Sequence, residues 1–148
     1  MPLRNYIKGN LITCAPETTI SEVARLMKSS DVGAVVVTED GFPSGIVTDR
    51  DLALRCAADH FECANEHVRD FMTQSVETVT LDQGIQDVTR IMKSEEIRRV
   101  VVVDETGRAL GLLSFGDMVS LLTRELVDLS ATTEPQPINN EDLEKRAA

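Results

Sequence analysis

Apolar positions between residues 11 and 58 change their period in a fixed order. Leu11 to Cys14 reads as a short extended piece, after which Ile20, Val23, Ala24 and Met27 recur at helical spacing and predict an amphipathic helix. Thr19 followed by Glu22 supplies a capping box at its start. Ala34 to Thr38 is then a short, β-branched apolar run of the kind a buried strand requires. Glu39-Asp40-Gly41 is an acidic turn, Ser44 to Thr48 a second strand, and a second helix follows. The predicted order is β-α-β-β-α.

The same order recurs 65 residues later. On that offset Arg25-Leu26-Met27-Lys28-Ser29 meets Arg90-Ile91-Met92-Lys93-Ser94, and Val35-Val36-Val37 meets Val100-Val101-Val102. With one residue inserted, Gly41, Gly45 and Asp51 meet Gly107, Gly111 and Asp117, and 13 of the 42 positions paired from residue 11 to 52 are identical. The second copy has an extended piece at Val76 to Thr80 and a helix with Ile85, Val88, Ile91 and Met92 inward. Its start is weaker, with Gly84 in place of Thr. Strands at Val100 to Val103 and Leu110 to Ser114 complete it. A unit of this length buries too little surface to be stable alone, so the copies are expected to share one core, with two related clefts between them.

Residues 8–59 form the first repeat, 60–67 a connector, 68–122 the second repeat, and 123–148 an acidic tail that reads as mobile. A short helix at His67 to Met72 is expected to open the second copy. The aromatic content of 3% without Trp leaves Val, Ile, Leu, Ala and Met to fill the core, as suits an α/β (α+β) fold. The net charge of −10 argues against a nucleic-acid or anionic-membrane partner, yet leaves room for a locally basic pocket. No 18-residue apolar run and no signal-peptide pattern at Met1 to Asn5 is present, and Cys14, Cys56 and Cys63 lack disulfide-framework spacing. The expected location is cytoplasmic.

Two heptapeptides carry a resemblance. Gly45-Ile46-Val47-Thr48-Asp49-Arg50-Asp51 and Gly111-Leu112-Leu113-Ser114-Phe115-Gly116-Asp117 share the pattern Gly, two apolar residues, Ser/Thr, two variable residues, Asp. In register with the duplicated helix and strand, they resemble a tandem pair of CBS domains, the domain named from cystathionine β-synthase. The resemblance implies two β-α-β-β-α units packed sheet to sheet about a pseudo-twofold axis, in a stand-alone regulatory protein that is a homodimer and not an enzyme. It implies no cofactor, but a bound adenine ligand: AMP, ADP, ATP or S-adenosylmethionine. Asp51 and Asp117 take the role of ribose acceptors, with Thr48 and Ser114 at ribose or phosphate. The base is wrapped by Thr13, Cys14 and Ala15 with Val32, Gly33 and Ala34, and in the second copy by Thr78, Val79 and Thr80 with Ile97, Arg98 and Arg99.

A carboxylate can accept from both ribose hydroxyls at once, and a helix N-terminus favours phosphate. The same residues equally suit helix capping alone. Arg98 and Arg99 stand where related sensors such as the regulatory subunit of AMP-activated kinase hold phosphate. The alternative is pairing with carboxylates of a dimer partner. Arg50 is a further phosphate candidate or a partner for Asp49 or Glu39. Cys56, His60, Cys63 and His67 fall at steps of 4, 3 and 4, a weak zinc pattern, against which stands a buried thiol with solvated histidines. Neither a Gly-x-Ser-x-Gly elbow nor a phosphate loop with Lys is present. Two further readings stay open: a dimeric interaction scaffold without nucleotide binding, and a zinc-binding module. The downstream protein partner is not legible.

Overall fold

A computed structural model describes residues 3–7, 11–58 and 62–131. Its elements follow the duplicated pattern. Strand β1 (Thr13–Cys14) precedes helix α1 (Ile20–Ser30), then β2 (Ala34–Glu39) and β3 (Phe42–Thr48). A short helix α2 (Asp49–Asp51) runs into a π-helical segment at Leu52–Ala57. In the second repeat β4 (Thr78–Thr80), α3 (Ile85–Ser94), β5 (Arg99–Val103), β6 (Ala109–Ser114) and α4 (Phe115–Ala131) follow. The sheets are β1-β2-β3 and β4-β5-β6, each with one parallel and one antiparallel pairing.

The helices start as their sequences dictate. The Thr19 Oγ1 accepts from the Glu22 N–H at 3.4 Å while Glu22 Oε2 accepts from the Thr19 N–H at 2.9 Å, a closed capping box. At α3 only half of this is available: Gly84 has no side chain, and Asp87 Oδ2 accepts from its N–H at 3.0 Å. The central strands are apolar on both faces. Val35 and Val37 pack with Ile20, Val23 and Met27 of α1, whereas Val36 turns the other way to join Val101 and Val103 of the second sheet. Ile46 and Leu112 flank that second cluster, so the copies do share a core between their sheets.

The backbone bonds that bind the copies are themselves duplicated. Leu3 N–H donates to Gln83 O at 3.0 Å and Arg4 N–H to Leu81 O at 3.2 Å; 65 residues on, Val68 N–H donates to Thr18 O at 2.9 Å and Arg69 N–H to Pro16 O at 3.2 Å. Arg4 pairs with Asp82 as Arg69 pairs with Glu17. Each repeat thus begins with a lead-in segment that docks on the other repeat: Leu3 to Ile7 on the second, Val68 to Met72 on the first. The expected helix at His67 to Met72 is a 3-10 turn, Val68–Asp70. The repeat unit therefore extends to Leu3, ahead of the expected start at residue 8.

At the other end, α4 continues through Ala131, so the first part of the expected tail is helical. Leu126, Val127 and Leu129 keep the apolar helical spacing alive, and the next proline is Pro135. Residues 132–148 lie outside the described residues. Among those described, no helix is long and apolar enough to cross a membrane. The cysteine reading needs correction, because Cys56 and Cys63 form a disulfide. The π-helical end of α2 and the turn at Cys63–Asn65 bring their Cα atoms to 5.6 Å, within the range a disulfide spans.

The lead-ins also explain the first residue of each heptapeptide. A Cβ on Gly45 would strike Met72 Sδ and stand 3.1 Å from the Thr73 carbonyl oxygen; one on Gly111 would stand 3.0 Å from Ile7 Cγ2. Gly45→Ala is therefore expected to lower the unfolding free energy by about 1–3 kcal/mol, as overpacking against backbone does. Urea denaturation followed by circular dichroism measures it.

Candidate functional site

The first heptapeptide turns from strand to helix at Thr48. Thr48 Oγ1 accepts from the Asp51 N–H at 3.1 Å, and Asp51 Oδ2 accepts from the Thr48 N–H at 2.9 Å and from the Thr48 hydroxyl at 2.8 Å. Capping is thus a role Asp51 performs. Its Oδ1 faces Arg55 Nε at 3.6 Å, and its side chain is 18% exposed. A carboxylate has about four lone-pair sites, so capping through Oδ2 does not exhaust its capacity to accept.

Cross-strand register places the other candidates. Ala34 pairs with Thr48 in the first sheet, and Arg99 pairs with Ser114 in the second. Each hydroxyl residue is therefore the direct cross-strand neighbour of the residue that opens the central strand. One position earlier the two repeats make the same backbone bond: Asp49 N–H donates to Gly33 O at 3.1 Å, and Phe115 N–H to Arg98 O at 2.8 Å. The proposed base edges lie along the same strands. Thr13 pairs with Val36 and Cys14 with Val37, while Thr78, Val79 and Thr80 pair with Val101, Val102 and Val103. Val79 is buried and takes its place in the core. Ala15 and Gly33 are exposed, and Val32 and its counterpart Ile97 in the second repeat are half-buried.

The two repeats differ in charge at the equivalent place. In the first, the space beside Gly33 is taken by the Asp49 carboxylate, which a Cβ on Gly33 would approach to 3.1 Å. In the second, the exposed Arg98 guanidinium lies 5.4 Å from the centroid of the Phe115 ring, a cation–π contact. Arg50 is exposed; its N–H is received by Asp49 Oδ1 at 2.8 Å. Asp117 lies exposed in the first turn of α4.

A separate cleft is walled by Thr80, Asp82, Asp104 and Glu105 together with Arg4, which pairs with Asp82. Hydrogen bonds from the Thr106 hydroxyl and the Arg108 N–H hold the Asp104 carboxyl below the usual carboxylate range. Its acidity suits it poorly to phosphate, although Thr80 had been expected to line a nucleotide site.

The described residues of the connector have other partners. Cys56 and Cys63 are joined to each other, and His67 Nδ1 lies 2.7 Å from the Glu17 carbonyl oxygen. His60 lies outside the described residues. Among the described residues no cluster of three metal-ligating side chains occurs. The lead-in segments were missed as functional scaffolding by the sequence reading, although Arg4 and Arg69 are identical on the 65-residue offset and Tyr6 and Phe71 are both aromatic.

Comparison with known proteins agrees with this duplication. The family model described as CBS domain matches residues 3–57 and 68–124. The CBS domain-containing protein YhcV of Bacillus subtilis is 34% identical over 116 residues, covering 78% of this chain and 81% of YhcV. An uncharacterised protein of Methanopyrus kandleri is 32% identical over 115 residues; the match covers 77% of this chain but only 59% of that protein. Among solved structures, a CBS domain protein of Pyrobaculum aerophilum complexed with AMP superposes with a TM-score of 0.72 at 26% identity, covering 83% of this chain and 99% of the other.

Cys14, beside the first base edge, is the free cysteine among the described residues. Burial pushes its thiol up to about 11, against a smaller opposing effect of its hydrogen bond with Thr18. Two units above the ordinary value of 9.0 leaves about 100-fold less thiolate at neutral pH. Iodoacetamide at pH 7.5 should therefore label Cys14 about 100-fold more slowly in the native chain than in urea, as read by intact mass against time.

Proposed function

Because the chain belongs to the CBS domain family, we propose that it is a regulatory module, not an enzyme, and that it binds an adenine nucleoside or nucleotide. The observation that carries this reading is the likeness to the AMP-complexed Pyrobaculum protein, taken with the pairing of Arg99 and Ser114 across β5 and β6. The second repeat is the better host for phosphate. Arg98 and Arg99 supply two guanidinium groups there, against the uncharged Gly33 and Ala34 of the first repeat. Ser114 meets ribose or phosphate and Asp117 accepts from ribose hydroxyls, as the family motif implies. Asp51, with Thr48 and Arg55 already on its carboxylate, suits an uncharged nucleoside. The ligand acts by linkage, favouring whichever arrangement of the chain binds it more tightly.

Self-association is supported by a separate feature. Val119, Leu122, Leu126 and Leu129 recur at steps of 3, 4 and 3 along α4, and they are 46%, 44%, 66% and 65% exposed. That is the a/d spacing of a two-stranded helical seam, and a second copy of the chain supplies an identical stripe. A dimeric regulatory module therefore fits better than a monomeric one. The interaction-scaffold reading shares this dimer and differs only in lacking a ligand.

Two measurements test these readings. AMP at about 100 times its dissociation constant should stabilise the native state by roughly 2.7 kcal/mol and raise Tm by about 5–10 °C. Arg99→Ala and Asp117→Ala should remove the shift, and Asp51→Ala should leave it. No shift with AMP, ADP, ATP or S-adenosylmethionine, from a folded chain, would leave the scaffold reading standing instead. In sedimentation velocity the chain should run as a dimer and Leu122→Asp/Leu126→Asp as a 16.3 kDa monomer. An unchanged dimer would place the interface elsewhere.

A further inference from the structure

The disulfide between Cys56 and Cys63 joins two places that the proposed function does not use, and both lie next to parts that it does. Cys56 stands in the π-helical segment Leu52–Ala57, directly after the helical turn that carries Asp51. Such wide turns are rare and concentrate at functional sites. Cys63 is 4% exposed and packs in the core with Val68 and Phe71, the lead-in of the second repeat. Between them stands Arg55, whose Nη1 donates to the Phe71 carbonyl oxygen at 2.8 Å and whose Nε faces Asp51 Oδ1 at 3.6 Å. The cross-link therefore pins the end of the motif helix to the segment that joins the repeats.

We propose that Cys56 and Cys63 are a reversible thiol–disulfide modification site, a redox clasp whose state sets the conformation of the helix that carries Asp51. Three observations support a switch over a permanent staple. The bridge spans a sequence separation of only 7, so it constrains the unfolded chain less than a bridge closing a long loop would. Cys56 is half-buried and within reach of a small reagent, while Cys63 is buried beneath it, the arrangement of an attacking and a resolving thiol. The π register, whose hydrogen bonds run i→i+5 where the α register's run i→i+4, is rare, and it ends at the bridge. Released, residues 52–57 take the α register, and Arg55 turns away from Phe71 and Asp51.

The chemistry balances with a small disulfide such as oxidised glutathione as oxidant. The Cys56 thiolate attacks one glutathione sulfur, the glutathione S–S bond breaks, and one glutathione thiolate leaves. The Cys63 thiolate then attacks the Cys56 sulfur of the mixed disulfide and expels the second. Two protein thiols lose two electrons and two protons, which two glutathione molecules receive. Reduction runs the same exchange backwards. Any effect on ligand affinity rests on Asp51 being a ribose acceptor; the redox step itself does not.

The test therefore reads the clasp without a ligand. The full chain is equilibrated across a series of reduced and oxidised glutathione, quenched in acid, unfolded, labelled with N-ethylmaleimide and weighed. The expected result is a reversible passage from three labels to one within the series, with Cys14 as the constant label. Amide exchange by mass spectrometry should show protection over residues 52–57 falling about tenfold on reduction while α1 keeps its protection. Cys63→Ser should exchange like the reduced chain under both conditions. Three labels at every glutathione ratio would overturn the proposal, as would a bridge that forms without changing exchange over residues 52–57. Loss of the whole circular-dichroism signal on reduction would overturn it too, by making the bridge a staple.

Discussion

The fold depends on an exchange. Each repeat lends its first few residues to the other: Leu3 and Arg4 to the loop before α3, Val68 and Arg69 to the loop before α1. The donors are backbone N–H groups and the acceptors backbone carbonyls, so the exchange is largely indifferent to side-chain identity and survives divergence between the copies. It also settles why a unit this small does not stand alone. A single repeat would leave those carbonyls without their partners and would expose the inward faces of Val36 or Val101. The glycine that opens each heptapeptide belongs to the same device, since Met72 and Ile7 lie where its side chain would be.

On that frame the strand-to-helix turn carries two duties. The Thr48 and Asp51 pair starts the helix, and it presents a carboxylate and a hydroxyl at a helix N-terminus. Asp51 caps through one oxygen and keeps the other toward Arg55, so capping does not use the whole carboxylate. The arrangement also joins the turn to the connector, because Arg55 reaches the Phe71 carbonyl.

Much of this was written in the sequence. Among the described residues, periodicity and the 65-residue offset located every strand and the helices α1 and α3 to within a few residues, because the burial of Val35 to Val37 and Val100 to Val102 leaves no other use for those runs; the start of α4 was legible and its continuation past residue 122 was not. The Thr19 capping box was legible for the same local reason. What escaped lies in tertiary placement. Nothing in Leu3-Arg4-Asn5-Tyr6-Ile7 says which repeat it will dock on, although its likeness to Val68-Arg69-Asp70-Phe71-Met72 was there to be read. The Cys56–Cys63 bridge escaped because its spacing suits a helix face, whereas Cys56 stands in a widened turn and Cys63 opens a separate 3-10 turn. The cross-strand neighbours Arg99 and Ser114 follow from register, which a one-residue bulge after Val102 makes hard to count from sequence.

Duplication by itself yields a part that cannot tell left from right. This chain has kept the shared backbone bond, from Asp49 to Gly33 and from Phe115 to Arg98, while reversing the sign of what stands beside it. An acid occupies the place in one half; a guanidinium resting on an aromatic ring occupies it in the other. A small anion approaching the protein therefore meets an attractive half and a repulsive one at geometrically equivalent positions. The duplicated chain has thereby acquired an electrical polarity that its backbone symmetry lacks.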